Sequence, residues 1–394
     1  MKVATPTYKD TMTYTNPQQC DEIRPKCSNC SNRQSDCEYS SSSSLLWAND
    51  GPSPRQSSSR SNFEETSTAD LASASPFGIL GRLSEDVAAA PSTSLNMMDL
   101  ELLLQWCNST HKSLTRGPRL DSIWRYLVTE EALSQPFLMH GLLALSALHL
   151  ARTKRDNSAT YISTAVAHQN QALALFRERL DDINPSNAKA MFAFSSIVVV
   201  YAFSSTQPSD SSDLSTSLDD LCQVLVLARG VQEVINKASS SLWESSFRPI
   251  LRVDSYTPYL PDSARSALEQ LREANRVCGT QDATHDTASY GQVIDNLSEE
   301  FSAVHGGFMS ISVAGRWAIR VKPKYMESLR ERRPLALVIL VYYCALLHYL
   351  RQNWCLDEWG ARASKAIWEL LDDQWKELAL WAMVEIFGQG FSEK

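Results

Sequence analysis

Three stretches of the chain are apolar on nearly every side: "PFLMHGLLALSALHLA" (136–151), "AKAMFAFSSIVVVYAF" (188–203) and "LALVILVYYCALLHYL" (335–350). A helix without a polar face belongs inside a large domain, where neighbours cover it all round. Other segments carry apolar residues at three- and four-residue steps, the period of a half-buried helix. Ile162, Val166, Leu173, Phe176 and Leu180 form one such series; Val293, Ile294, Leu297, Phe301 and Val304 form another. Pro136 suits a first helical turn, where its missing N–H costs nothing. Ser217 with Asp220 has the form of a capping box, with a helix beginning just after Ser217. The run "IVVVY" has strand propensity, but alanine-rich flanks extend its pattern past strand length. No series of short alternating strands occurs. The pattern predicts one all-α domain over residues 96–394.

Upstream the pattern disappears. From Ser40 to Leu95, 16 of 56 residues are serine and the apolar residues are sparse and aperiodic. Such a segment cannot bury enough surface to offset the entropy of ordering it, so residues 40–95 read as a disordered Ser-rich linker. Residues 20–39 are polar and hold four cysteines, and residues 1–19 form an N-terminal segment with none.

A length of 394 residues with 43% hydrophobic composition suffices for one large core. The formal net charge of −8 restricts any nucleic-acid contact to a local patch. Residues 1–40 hold five Lys/Arg (Lys2, Lys9, Arg24, Lys26, Arg33) and five Asp/Glu (Asp10, Asp21, Glu22, Asp36, Glu38), so that region balances to zero. The total of nine cysteines is odd and residues 1–19 contain no apolar stretch, which argues against a secreted disulfide framework. The 16-residue run at 335–350 is short for a membrane span and contains His348, so it reads as a core helix. The chain is expected to be soluble and intracellular, with no membrane span.

The four clustered cysteines are Cys20, Cys27, Cys30 and Cys37, spaced C-x6-C-x2-C-x6-C. Thiolates bind zinc strongly, and a C-x2-C pair brings two sulfurs onto one ion from a tight turn. Free thiols in a polar tail are the alternative reading. The stretch "CDEIRPKCSNCSNRQSDCEYS" resembles the second half of a fungal zinc binuclear cluster, including Arg24-Pro25 before Cys27 and the ending Cys37-Glu38-Tyr39. In that family six cysteines hold two zinc ions. By the resemblance, Cys20, Cys27, Cys30 and Cys37 match the third to sixth ligands, and the opening C-x2-C with its basic run is not among residues 1–19. Arg24, Lys26 and Arg33 are the cations that could touch DNA phosphates there. The resemblance implies zinc as cofactor and CGG-type half-sites in DNA as the target. The half-motif leads us to expect weak binding with little sequence preference.

The helical region resembles the regulatory domain of fungal sterol uptake control regulators. The segments that carry this likeness are "DLELLLQWCNST" (99–110), "PFLMHGLLALSALHLA", "LARGVQEVI" (227–235) and "RRPLALVILVYYCALLHYL" (332–350). A tail with Trp354, Trp359, Trp368, Trp375 and Trp381 adds to it, although Trp381-Ala382 stands where the family pattern has Trp-Pro. The resemblance implies an all-helical domain that forms a homodimer and can bind a sterol, acting in the nucleus on sterol uptake or biosynthesis genes. It identifies no ligand-contacting residues.

Enzymatic patterns are absent. The seven histidines form no H-E-x-x-H pair, and no G-x-S-x-G elbow or phosphate-binding P-loop occurs. His140 and His149, inside an apolar helix, read as hydrogen-bonded core residues. The sequence therefore predicts a zinc-cluster transcription regulator rather than an enzyme. A ligand-sensing or dimerising module that acts through intact partners, without binding DNA itself, is the alternative.

Overall fold

The computed structural model describes residues 95–115, 118–205, 214–252 and 256–391; side chains at 118 and 214–216 are outside the description. All regular secondary structure among the described residues is helical, with no strand, as the pattern predicts. The expected cysteine segment and Ser-rich linker lie outside the described residues.

The first helix, α1 (Met97–Asn108), starts where the Asn96 side chain accepts hydrogen bonds from the Met98 and Asp99 amides at 3.1 and 3.3 Å. Short helical turns lead to α2 (Val128–Ser134). Next comes α3 (Pro136–Thr153), with Pro136 in its first turn as expected. It packs along α4 (Ser158–Arg177) and α5 (Ala188–Ser205). Helix α5 is long and apolar enough to cross a membrane, but 72% of it is buried inside the protein. The 31-residue α6 (Leu214–Glu244) then crosses α5.

The second half comprises α7 (Asp262–Gln281), α8 (Thr287–His305), α9 (Ile311–Arg320), α10 (Pro323–Arg330), α11 (Pro334–Tyr349), α12 (Trp359–Trp368) and α13 (Asp373–Phe387). Every residue from Leu335 to Leu347 is buried, so α11 is the central helix its composition implies. Helices α7, α8, α9, α10, α12 and α13 surround it.

Two local expectations are corrected. Helix α6 runs through Ser217 and Asp220, so these residues do not cap its start. Leu218 and Leu221 are fully buried, and the apolar face continues through the expected boundary.

The inward face of α4 is centred one residue away from part of the predicted series, although Phe176 is buried as expected and Ile162, Leu173 and Leu180 pack half-buried against the core. Tyr161, Ala165, Gln169, Ala172 and Phe176 are buried, whereas Val166 is 48% exposed and Leu180 lies beyond the helix. The physical reason is close packing on α3. Small Ala165 and Ala172 let the two backbones approach at the centre of the face, with the larger Tyr161 and Phe176 buried towards its two ends. The series in α8 is placed as expected, with Val293, Ile294, Leu297, Phe301 and Val304 all buried.

Helix α9 is anchored by Trp317, whose indole N–H donates to the Val293 carbonyl at 3.1 Å. Its ring stacks on Tyr343 of α11 with centroids 4.2 Å apart and planes inclined by 21°. Val313, Ala314, Trp317 and Ala318 thus fix the inner face of α9. Its other face, through Ser312, Gly315, Arg316 and Ile319, is left to line a cavity.

Candidate ligand site

A cavity of about 390 Å³ lies between α5, α6, the C-terminal half of α8 and α9. Phe192, Val199, Val200 and Phe203 supply the α5 wall, and Ala228, Val231 and Ile235 the α6 wall. Leu114, Leu120 and Trp124 close one side, with Ile250, Leu251 and Tyr256 on another. Helical spacing explains the set: each wall is one stripe of residues three or four apart.

Gly315 makes much of the room on the α9 side. A Cβ built there would meet no atom within 4 Å, so the missing side chain opens the cavity rather than permitting close packing. The volume falls within the usual range for small-molecule sites, roughly 300–1,000 Å³.

Polar groups gather at one end. Glu300 is 1% exposed and its carboxylate accepts from two arginines on α9. Arg316 Nε lies 3.1 Å from both carboxylate oxygens, and Arg316 Nη2 donates to Oε2. Arg320 Nη2 donates to Glu300 Oε1 at 2.7 Å, while its Nη1 donates to Glu299 Oε2 at 2.6 Å. The guanidinium of Arg316 also lies over the Phe308 ring, 5.4 Å from its centroid.

Burial pushes the Glu300 carboxyl above its ordinary value; hydrogen bonding and charge from Arg316, then Arg320, pull the other way. A buried carboxylate requires such partners, because an unpaired charge in an apolar wall is very costly. Beyond this charged end lies a polar cleft of about 420 Å³, which shares Gln232, Glu299, Ile319 and Arg320 with the cavity. Arg229, Glu233, Gln292, Asn296 and Lys322 line it further out. The result is an apolar chamber adjoining a polar cleft.

None of these residues was singled out from sequence. The available signal was Arg316 and Arg320 one helical turn apart, preceded by the adjacent Glu299 and Glu300. It is also the signature of an ordinary solvated helix surface.

The sequence-predicted residues Cys20, Arg24, Lys26, Cys27, Cys30, Arg33 and Cys37 all lie outside the described residues. Four thiols match the donor set of one tetrahedral zinc. Among the described residues, no group of three or more His, Cys, Asp or Glu side chains could hold a metal ion.

His140 shares a 2.8 Å Nδ1–Nδ1 hydrogen bond with His168, and His149 Nδ1 lies 3.0 Å from Thr110 Oγ1. His149 also stacks on Trp354 at 4.6 Å. Both histidines are thus hydrogen-bonded packing residues, as expected.

Fold and cavity define an all-helical domain packed around α11, with a small-molecule-sized chamber to one side of it. Residues 101–253, which include α5 and α6, match the fungal specific transcription factor domain, and the chain is homologous to regulators of that kind. It is 32% identical over 137 residues to sterol uptake control protein 2 of Candida albicans, covering 34% of this chain and 18% of that protein. It is 36% identical over 111 residues to the Saccharomyces cerevisiae protein of the same name, covering 27% and 11%. A Zn(2)-C6 fungal-type transcription factor of Gibberella zeae is 23% identical over 388 residues, covering 87% of this chain and 77% of that protein. The matched segments therefore span less than a fifth of either sterol uptake control protein.

Proposed function

We propose that this chain is a ligand-sensing transcription regulator of the sterol-responsive type, acting in the nucleus on genes of sterol uptake or biosynthesis. The observation that carries this reading is the apolar cavity of about 390 Å³ with the Glu300, Arg316 and Arg320 cluster in its wall. A largely apolar molecule with a polar group fits that lining. Similarity to two sterol uptake control proteins supports a sterol as that molecule.

In this reading the helical domain senses the sterol and pairs with a second copy. The segment from Cys20 to Cys37 is the zinc-holding part, and the metal would fix its fold by drawing four thiolates together. Arg24, Lys26 and Arg33 then contact DNA phosphates at CGG-type half-sites. The balanced charge of residues 1–40 favours a second reading, in which DNA contact comes mainly through an intact partner chain.

The test is thermal denaturation of the purified chain with and without a saturating 3β-hydroxysterol. A ligand that binds only the folded state raises the melting temperature by mass action. An unchanged melting temperature at saturation removes sterol sensing from the reading.

A further inference from the structure

We infer that the cavity selects a ligand whose terminal polar group is an uncharged oxygen, and that Arg316 is the residue that receives it. This rests on the ligand-sensing reading above and specifies what the sensor recognises.

The argument starts from which hydrogen-bonding groups at the charged end are already used. Both oxygens of Glu300 accept from Arg316, and Oε1 also accepts from Arg320. All three nitrogens of the Arg320 guanidinium donate: Nε to the Arg316 carbonyl at 3.3 Å, Nη1 to Glu299 and Nη2 to Glu300. Arg316 uses Nε and Nη2 on Glu300. Among the described residues, none accepts a hydrogen bond from Arg316 Nη1. The cavity wall therefore retains a guanidinium donor, which calls for an acceptor oxygen on the ligand.

Charge decides which kind of oxygen. Arg316 and Arg320 face Glu299 and Glu300, so the two guanidiniums are balanced by two carboxylates. An anionic head group would be forced close to the buried Glu300 carboxylate, and repulsion between like charges grows as water is excluded. Arg252 also lines the cavity but is exposed. A hydroxyl or carbonyl oxygen accepts from Arg316 without disturbing the balance.

Geometry favours selectivity. The two bonds to Glu300 and the contact with the Phe308 ring hold Arg316 in place before any ligand arrives. A preorganised donor loses little freedom on binding. A site built around a hydrogen bond rejects an analogue that cannot make it.

The experiment compares three ligands on the full-length chain: a 3β-hydroxysterol, its 3-deoxy hydrocarbon and its 3-sulfate. Each is titrated against intrinsic tryptophan fluorescence. We expect the hydroxysterol to bind about tenfold more tightly than the deoxy compound, as for one hydrogen bond to a charged donor. The sulfate should bind more weakly than the hydroxysterol. In the triple variant Glu300→Met, Arg316→Met, Arg320→Met the buried carboxylate is removed together with both of its arginines, and hydroxysterol and deoxy compound should bind equally. Equal affinities in the unsubstituted chain, tightest binding of the sulfate, or persisting discrimination in the triple variant would each overturn the inference while leaving sterol sensing intact. Failure of all three ligands to bind would overturn the sensing reading itself, and the inference with it.

Discussion

Arg316 Nε sits 3.1 Å from each carboxylate oxygen of Glu300, a residue 1% exposed in the wall of an apolar cavity. The pair joins α8 to α9 across the end of the chamber. Removing Arg316 alone leaves Glu300 with Arg320 as its remaining cation. We expect Arg316→Met to destabilise the chain by about 2 kcal/mol, in the range for an under-satisfied buried group. The triple variant Glu300→Met, Arg316→Met, Arg320→Met should recover most of that loss, because a buried charged cluster can be replaced as a whole by apolar side chains at little cost. Urea denaturation of the two variants decides it: equal destabilisation would mean the cluster acts as independent charges.

Gly315 offers a way to close the cavity without damaging the fold. A new Cβ there meets no atom within 4 Å. Gly315→Leu should fill empty space and gain helix propensity of a fraction of a kcal/mol to about 1 kcal/mol. Its melting temperature without ligand should be unchanged or slightly raised, while the sterol-induced shift disappears. A variant that still shows the full shift would place ligand binding elsewhere.

Gly360 has the opposite environment. A Cβ there would lie 2.4 Å from the Cys344 carbonyl oxygen and 2.8 Å from the His348 amide nitrogen, both backbone atoms of α11. Rigid backbone cannot give way as a side chain does, so α12 would be pushed off the central helix. Overpacking of this kind costs about 3 kcal/mol, against about 1 kcal/mol gained in helix propensity. Gly360→Ala should therefore lose about 2 kcal/mol on balance. A neutral result in chemical denaturation would show that α12 can move off α11 at little cost.

Acid should weaken the domain through its half-buried histidines. His140 is held below its ordinary value of 6.5 by burial first and by the neighbouring His168 second, with Asp99 opposing. Below about pH 6.5 the unfolded chain therefore binds more protons than the folded one. The stability is fully present above that pH and falls as pH drops towards the folded value. Burial lowers His149, His285, His305 and His348 in the same direction. The melting temperature should fall between pH 7.5 and 5.5, and less steeply in His140→Gln. Identical slopes in the two proteins would remove His140 from the account.

The cysteine segment gives a stoichiometric expectation. The 394-residue chain should carry one zinc through Cys20, Cys27, Cys30 and Cys37, and Cys27→Ser should lose it. With Arg24, Lys26 and Arg33 as phosphate contacts, the logarithm of DNA affinity should fall with the logarithm of salt at a slope of about −3 or shallower. Metal analysis and titration of a labelled duplex at several salt concentrations measure both. Two zinc ions per chain, or tight sequence-selective binding at physiological salt, would contradict the half-motif reading.

The sequence by itself determined that this is a helical protein with α3, α5 and α11 inside it. Their runs are apolar on all sides, and only burial satisfies such a helix. It also determined the buried series of α8, where large apolar residues recur at helical steps. Large residues marked the face of α4 only in part: Phe176 is buried, but Ala165 and Ala172 rather than Val166 and Leu173 lie at its centre, because periodicity counts size, not fit. The cavity was decided by tertiary structure alone. Its room depends on Gly315 standing opposite side chains from α5 and α6, which sequence places far away. Glu300 likewise reads as one more surface charge beside Glu299, yet one is 1% exposed and the other has a side chain 60% exposed. Helix rotation, fixed by Trp317 stacking on Tyr343 and by the packing of α8, turns one carboxylate into a buried partner for two arginines and leaves its neighbour in water.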